Sequence, residues 1–288
     1  NMFTNDSSDS LCVPSLFACV ILSCSYVASL YIWRTNLHRD HPKSIKRRFF
    51  SVTVMMVVAP FITNLFLADK SYGDDYLKLF GLRWSGLLPA CILPLLLTMI
   101  LFLGPLTLQY FSGIWKLYAQ PVYWASNWQD LIWLRNHVMA PLSEEWVYRC
   151  CMMPLLLQCL SPVSAILYGP LLFGVAHFHH IYEQVKAGAD LTNAIVVSFF
   201  QFVYTTMFGV YSSLLYIRTG HFAAPLLAHM FCNHMGFPNL PEIFHHKPRH
   251  QALIVATFGI GLISWGFLLM PITNPDYYDN KYPWMFVH

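Results

Sequence analysis

The chain has 288 residues, of which 56% are hydrophobic and 11% charged, against roughly 25% charged in ordinary soluble domains. That excludes a soluble globular protein and implies a polytopic membrane protein, while a net charge of +3 is too small to imply a nucleic-acid partner. Eight cysteines lie in or beside apolar runs without paired ligand spacing, so they read as reduced packing residues rather than a disulfide framework.

At about 20 residues per span, the length accommodates an all-α polytopic membrane bundle of about eight transmembrane helices in one domain, residues 1–288. Residues 1–10 are polar and read as disordered. Leu11 to Trp33 is apolar and too long for a signal-peptide core, so it reads as a retained first helix. Arg34 to Arg48 carries six basic residues against one acid, the pattern of a cytosolic loop. Further spans are predicted at Phe50 to Ala68, Trp84 to Tyr110 (broken by Pro89, Pro94 and Pro105), Ala140 to Leu160, Val163 to Phe178, Leu191 to Ile217, Phe222 to Phe237 and Ala252 to Met270. Residues 111–139, with Trp124, Trp128 and Trp133, read as interfacial, and 271–288 as a polar tail. Alternating the loops puts eleven Lys and Arg on the cytosolic side and five on the other, which sets the orientation.

Ionisable residues inside such helices are expensive and mark function. The stretch Ser143-Glu144-Glu145-Trp146-Val147-Tyr148-Arg149 holds three of them. Glu145 and Arg149 are four apart in the favourable acid-before-base order and share a helix face. Glu144 points about 100° away, free to aim at His177 and a water. The alternation brings Glu144, Glu145, His177, His229 and Asn233 to a common depth on the cytosolic side. A carboxylate with a histidine can activate water, and two donors opposite, His229 and Asn233, can stabilise the oxyanion formed on an amide.

Glu144-Glu145-x-x-x-Arg149, Phe173-x-x-x-His177 and His229-x-x-x-Asn233, in that order on successive helices, resemble the three signature motifs of the CAAX-protease and bacteriocin-processing (abortive infection) family. The words Phe173-Gly174-Val175-Ala176-His177-Phe178-His179-His180, Ile217-Arg218-Thr219-Gly220-His221 and Asn233-His234-Met235-Gly236-Phe237-Pro238 resemble its eukaryotic, Ras-converting branch. The similarity runs from about Tyr31 to Pro275. It implies a multi-pass endoplasmic-reticulum endoprotease with a cytosol-facing active site, which removes the last three residues of prenylated Cys-a-a-X proteins such as Ras-like small GTPases. Carried over residue by residue, Glu144 and His177 activate the water, His229 and Asn233 form the oxyanion site, and Glu145 and Arg149 support them, with no cofactor.

Two other readings compete. In one, Glu144, His177 and His229 bind zinc, which carboxylate and imidazole ligands permit, although the His-Glu-x-x-His signature is absent. In the other, the buried charges form the ion relay of a transporter or belong to a non-catalytic scaffold. His179, His180 and His234 read as interfacial histidines, Tyr148 and Phe173 as packing, and His245-His246 as a solvated loop.

Overall fold

Prolines and short polar side chains set where the helices begin, as seen in a computed structural model that describes residues 5–33, 37–68 and 76–281. Helix α1 spans Asn5–Ser29, so residues 5–10, expected to be disordered, extend the first helix, while residues 1–4 lie outside the described residues. α2 (Pro42–Phe66) opens on a proline, whose missing N–H costs nothing there, and the His41 ring accepts the Lys43 N–H at 3.1 Å. A single turn, α3 (Tyr76–Leu79), leads to α4 (Leu87–Leu101) and α5 (Leu103–Phe111), which meet at a 70° bend. Pro105 causes the bend, because it has no N–H for the Leu101 carbonyl and its ring crowds that oxygen. The short helices α6 (Trp115–Tyr118), α7 (Pro121–Asn127) and α8 (Leu131–Leu134) bury no residue, as befits an interfacial segment.

A continuous helical run follows: a wide π-helical turn at Arg135–Met139, α9 (Ala140–Glu145), a second wide turn at Trp146–Cys151, and α10 (Met152–Leu156). Such turns are rare and frequently occur at functional sites. Ser161 caps α11 (Pro162–Ala176), which leads through α12 (His179–Lys186) to α13 (Leu191–Thr219), capped by the Asp190 carboxylate. α13 ends at Gly220 in the left-handed conformation, the usual helix stop. α14 (Ala223–Met235), the turn α15 (Leu240–Ile243), α16 (Pro248–Ile272) and a 3₁₀ turn at Pro275–Tyr278 complete the described chain. No strand occurs among the described residues, so the all-α class holds.

Among the described residues four helices are long and apolar enough to cross a membrane, within α1, α2, α13 and α16, and the bent pair α4–α5 makes a fifth. Of the other three expected spans, α11 and α14 are shorter, and the run through α9 and α10 is interrupted by its wide turns and carries the charged Glu144, Glu145 and Arg149. At 1.5 Å per residue the 13 residues of α14 reach about 20 Å, short of the roughly 30 Å hydrocarbon layer. Polar contacts gather in two separate rims. At one rim Arg39 and Arg48 pair with Glu183, and Arg135 with Asp40. At the other, Arg83 donates to the carbonyls of Thr219, Tyr278 and Asp279, Arg218 donates to Thr273, and the Gln158 amide joins Ser15 to Phe66. The expected polar tail is folded in at this second rim as far as Asn280, with Tyr278 and Asn280 buried; 282–288 lie outside the described residues.

The core is built from Leu22, Val52, Met55, Val147, Met152 and Phe173 and their neighbours, on α1, α2, the glutamate-bearing run and α11. α16 is held differently, by close approach. A Cβ on Gly261 would lie 2.6 Å from the Ile100 carbonyl oxygen, and one on Gly104 would collide with the Phe258 ring. Small residues let backbones touch where lipid offers no hydrophobic drive between helices. Gly261→Val is therefore expected to push α16 off the α4–α5 bend at a cost of about 1–3 kcal/mol. A lowered thermal midpoint of the purified protein in detergent is the check.

Candidate active site

The helical run through α9 carries two adjacent carboxylates into different surroundings. Glu145 is fully buried and Arg149 is 1% exposed. One turn apart, they form an ion pair, Arg149 Nη1 to Glu145 Oε1 at 3.1 Å. As the partner of Arg149, Glu145 is an acceptor only, and it accepts twice more: from Ser212 Oγ on α13 at 2.5 Å and from His229 Nδ1 on α14 at 2.7 Å. The Arg149 guanidinium lies over the Phe173 ring at 4.5 Å, with Phe208 at 6.0 Å, so aromatic faces replace part of its lost hydration. One buried carboxylate thus ties α9 to α13 and α14, and its partner ties them to α11.

Glu144, one residue earlier, faces the other way and is half-buried on the wall of a cavity of about 760 Å³. Its Oε2 lies 3.8 Å from His229 Nε2. His177, the residue after α11, donates from Nδ1 to the Phe173 carbonyl at 2.8 Å. A carbonyl only accepts, so the hydrogen is on Nδ1 and the neutral ring keeps a lone pair on Nε2. Asn233 stands one turn beyond His229 on α14 and donates from Nδ2 to the Asn136 carbonyl at 2.8 Å. Glu144, His177, His229 and Asn233 all line this one cavity.

Two details differ from the sequence reading. The ion-pair contact of Glu144 is with His229 rather than His177, because the Glu145 bond turns the His229 ring until Nε2 faces Glu144. His229 is consequently held by both glutamates, while Asn233 sits nearer the mouth. Sequence reasoning also missed Ser212, since a serine in an apolar helix is unremarkable; the pair Ser212-Ser213 in mid-span was the available signal. It missed the outer shell too, where Tyr26 OH bonds Ser143 Oγ at 2.9 Å and Tyr148 OH bonds Ser23 Oγ at 3.2 Å, tying α1 to the glutamate helix. Phe173, taken for packing, both covers Arg149 and accepts from His177.

At the mouth, His179 Nδ1 donates to the Ala176 carbonyl at 2.6 Å, and Glu183 meets Arg48 at 2.6 Å, Arg39 at 3.0 Å and His180 at 3.3 Å. Burial alone would raise the Glu183 carboxyl, but the hydrogen bonds from His180 and Arg48, with the charges of both arginines, hold it well below the usual carboxylate range. His179, His180 and Glu183 also bring their ligating atoms within 4.8 Å of one another. That trio differs from the zinc set considered above, and with Arg39 and Arg48 already on its carboxylate it is electrostatically poor ground for a cation.

A family model described as "Type II CAAX prenyl endopeptidase Rce1-like" matches residues 126–235, which contain all three motifs. The CAAX prenyl protease 2 of Homo sapiens is 45% identical to this chain, covering 93% of it and 84% of the relative. That of Rattus norvegicus is 41% identical, with 93% and 83% covered, and that of Arabidopsis thaliana 33%, with 97% and 96% covered. No solved structure matches at a significant level. Apolar helices that bury a carboxylate–guanidinium pair, and identity of this extent to proteases in animals and a plant, make this chain a membrane-embedded enzyme that belongs to the CAAX prenyl protease 2 family of type II CAAX prenyl endopeptidases.

Proposed function

We propose that the protein cleaves prenylated Cys-a-a-X proteins, Ras-like small GTPases among them, after the modified cysteine, releasing the a-a-X tripeptide by attack of a water held by Glu144 and His177. The observation that carries this reading is the placement of Glu144: a carboxylate on a cavity wall with the His229 Nε2 edge at 3.8 Å and His177 and Asn233 on the same cavity. The cavity also suits a two-part substrate. Its lining includes both the apolar Leu101, Phe102, Met207, Phe208 and Leu262 and the basic Arg39, Arg48 and Arg135. A prenyl chain gains about 0.8 kcal/mol per buried CH₂, while the peptide end needs polar surroundings. With the Arg39–Arg48 rim in the cytosol, as the charge asymmetry supports, the site opens to cytosolic substrates at the endoplasmic-reticulum membrane.

The chemistry follows from the hydrogen positions. Glu145 is neutralised by Arg149 and takes the His229 Nδ1 hydrogen; the oxyanion role asks in addition for a hydrogen on His229 Nε2, the nitrogen that faces Glu144 and the cavity. Water bonded to Glu144 and to the His177 Nε2 lone pair loses its proton to Glu144 as its oxygen attacks the scissile carbonyl. Negative charge moves from Glu144 to the new oxyanion, where His229 Nε2–H and the Asn233 amide stabilise it. The proton on Glu144 then passes to the departing amine. No step requires a metal.

Glu144→Gln keeps size and most hydrogen bonding but loses the base, so kcat on a prenylated peptide is expected to fall about 10² to 10⁴-fold with the thermal midpoint unchanged. Wild-type activity is expected to survive a chelator, and near-normal turnover by Glu144→Gln would sink the assignment. Glu145→Gln acts on the fold instead. It strands Arg149 in a buried site, and breaking such a pair costs about 3–5 kcal/mol, to be read as a loss of stability alongside activity. Asn233→Ala is expected to lower kcat about 10² to 10³-fold with little change in KM; a defect confined to KM would make Asn233 a substrate clamp.

A further inference from the structure

A peptide that ends three residues beyond the cleaved bond carries a carboxylate at a fixed distance from the attacked carbonyl, and its length has to be measured by something in the site. Three extended residues span about 10 Å. The residues that meet that terminus would have to be cationic, line the cavity that holds Glu144, and stand about that far from it.

The basic residues of the first rim divide by this criterion. Successive residues of a helix point about 100° apart, so Lys46, Arg47 and Arg48 of α2 do not act as one cluster. Arg48 lines the Glu144 cavity, together with Arg39 and Arg135. Lys46 and Arg47 do not line that cavity: both line a shallow depression with His41, Lys43 and Phe50, and although Arg47 also borders a second cavity shared with Arg39, Arg48 and Glu183, its guanidinium packs over Trp33 at 5.5 Å. Beyond His177 the ring of His180 follows at 5.9 Å, then Glu183 at 3.3 Å from His180 and Arg48 at 2.6 Å from Glu183. Arg48 is thus joined to His177 through two intervening side chains.

Charge points the same way. Arg39, Arg48 and Arg135 face two acids, Glu183 and Asp40, which leaves the group one positive charge in excess before the histidines are counted. Both acids are held well below the usual carboxylate range, Asp40 chiefly by the Arg135 hydrogen bond and Glu183 against the cost of burial, so the excess persists through neutral and mildly acidic pH. The acids orient the guanidinium groups rather than cancel them: Arg48 spends Nη2 on Glu183, and Arg135 spends Nε and Nη1 on Asn136 and Asp40. A guanidinium has five N–H donors in a planar fork suited to a carboxylate.

We infer that Arg48, flanked by Arg39 and Arg135, binds the free C-terminal carboxylate of the substrate and so sets the number of residues released. This rests on the peptidase reading above and names the part of the site that recognises where the peptide ends. Lys46 and Arg47 take no part in it.

The test compares two prenylated peptides that differ only at the last group, a free carboxylate and a primary amide, on wild-type enzyme and on Arg48→Gln. Wild type is expected to prefer the acid by about tenfold to a hundredfold in kcat/KM, the range of one charge-assisted hydrogen bond, with the difference in KM. Arg48→Gln is expected to bring the ratio close to one. Arg48→Lys, which keeps the charge and the Glu183 pair but not the fork, is expected to restore part of the preference. Lys46→Gln/Arg47→Gln serves as the control and is expected to keep the full preference. Equal cleavage of acid and amide by wild type, or an Arg48→Gln enzyme that slows both peptides alike and keeps the preference, would overturn the inference while leaving the peptidase reading intact. Failure of wild type to cut either peptide would instead overturn that reading.

Discussion

The structure depends on keeping one carboxylate and one guanidinium out of water. Each ion taken from water into a low-dielectric interior costs several kcal/mol after relaxation, and Glu145 and Arg149 meet that cost with each other, with Ser212 and His229, and with the Phe173 and Phe208 faces. These partners come from four helical segments. None can shift far without uncovering a buried charge, so the network acts as a clamp on the middle of the bundle, where α11 and α14 are too short to be anchored at both membrane surfaces by length alone.

The same clamp orders the chemistry. A histidine has two nitrogens with different jobs, and which is which is decided by what binds the other one. Glu145 fixes Nδ1 of His229 and the Phe173 carbonyl fixes Nδ1 of His177, so in both rings Nε2 is the nitrogen left for the site. Two imidazoles prepared alike then differ in their neighbours: His229 stands between two carboxylates, whereas His177 is flanked by Phe173, His179 and His180.

Much of this was legible in the residues. Glu145 with Arg149 is an i, i+4 pair that any helix makes, and Pro162, Gly220 and Gly236 stand where helices start or stop. The order of the three motifs on successive helices was visible in the sequence. The partner of Glu144 was not, because it depends on the rotation of the His229 ring, which lies 84 residues beyond Glu145 in sequence, and local periodicity carries no information about that. The role of Ser212 was hidden for the same reason. The 70° bend at Phe102 was half visible: Pro105 announced a break, but its angle is set by how closely Gly104 and Gly261 let α16 approach.

Hydrolysis inside a membrane protein sets two opposing demands, a wet nucleophile and a dry setting in which a few dipoles count for much. Here the boundary between them falls between adjacent residues. Glu145, without exposure, lies on the dry side, where the proposed mechanism uses it as a fixed charge. Glu144 lies on the cavity side with 17% of its side chain exposed, accessible to water yet close enough to the buried network to feel His229. A helix turns about 100° per residue, so two consecutive glutamates are the shortest stretch of chain that can put one carboxylate on each side of such a boundary. A single glutamate would have to serve as both fixed anchor and mobile base, and the first duty would withdraw the lone pairs that the second requires.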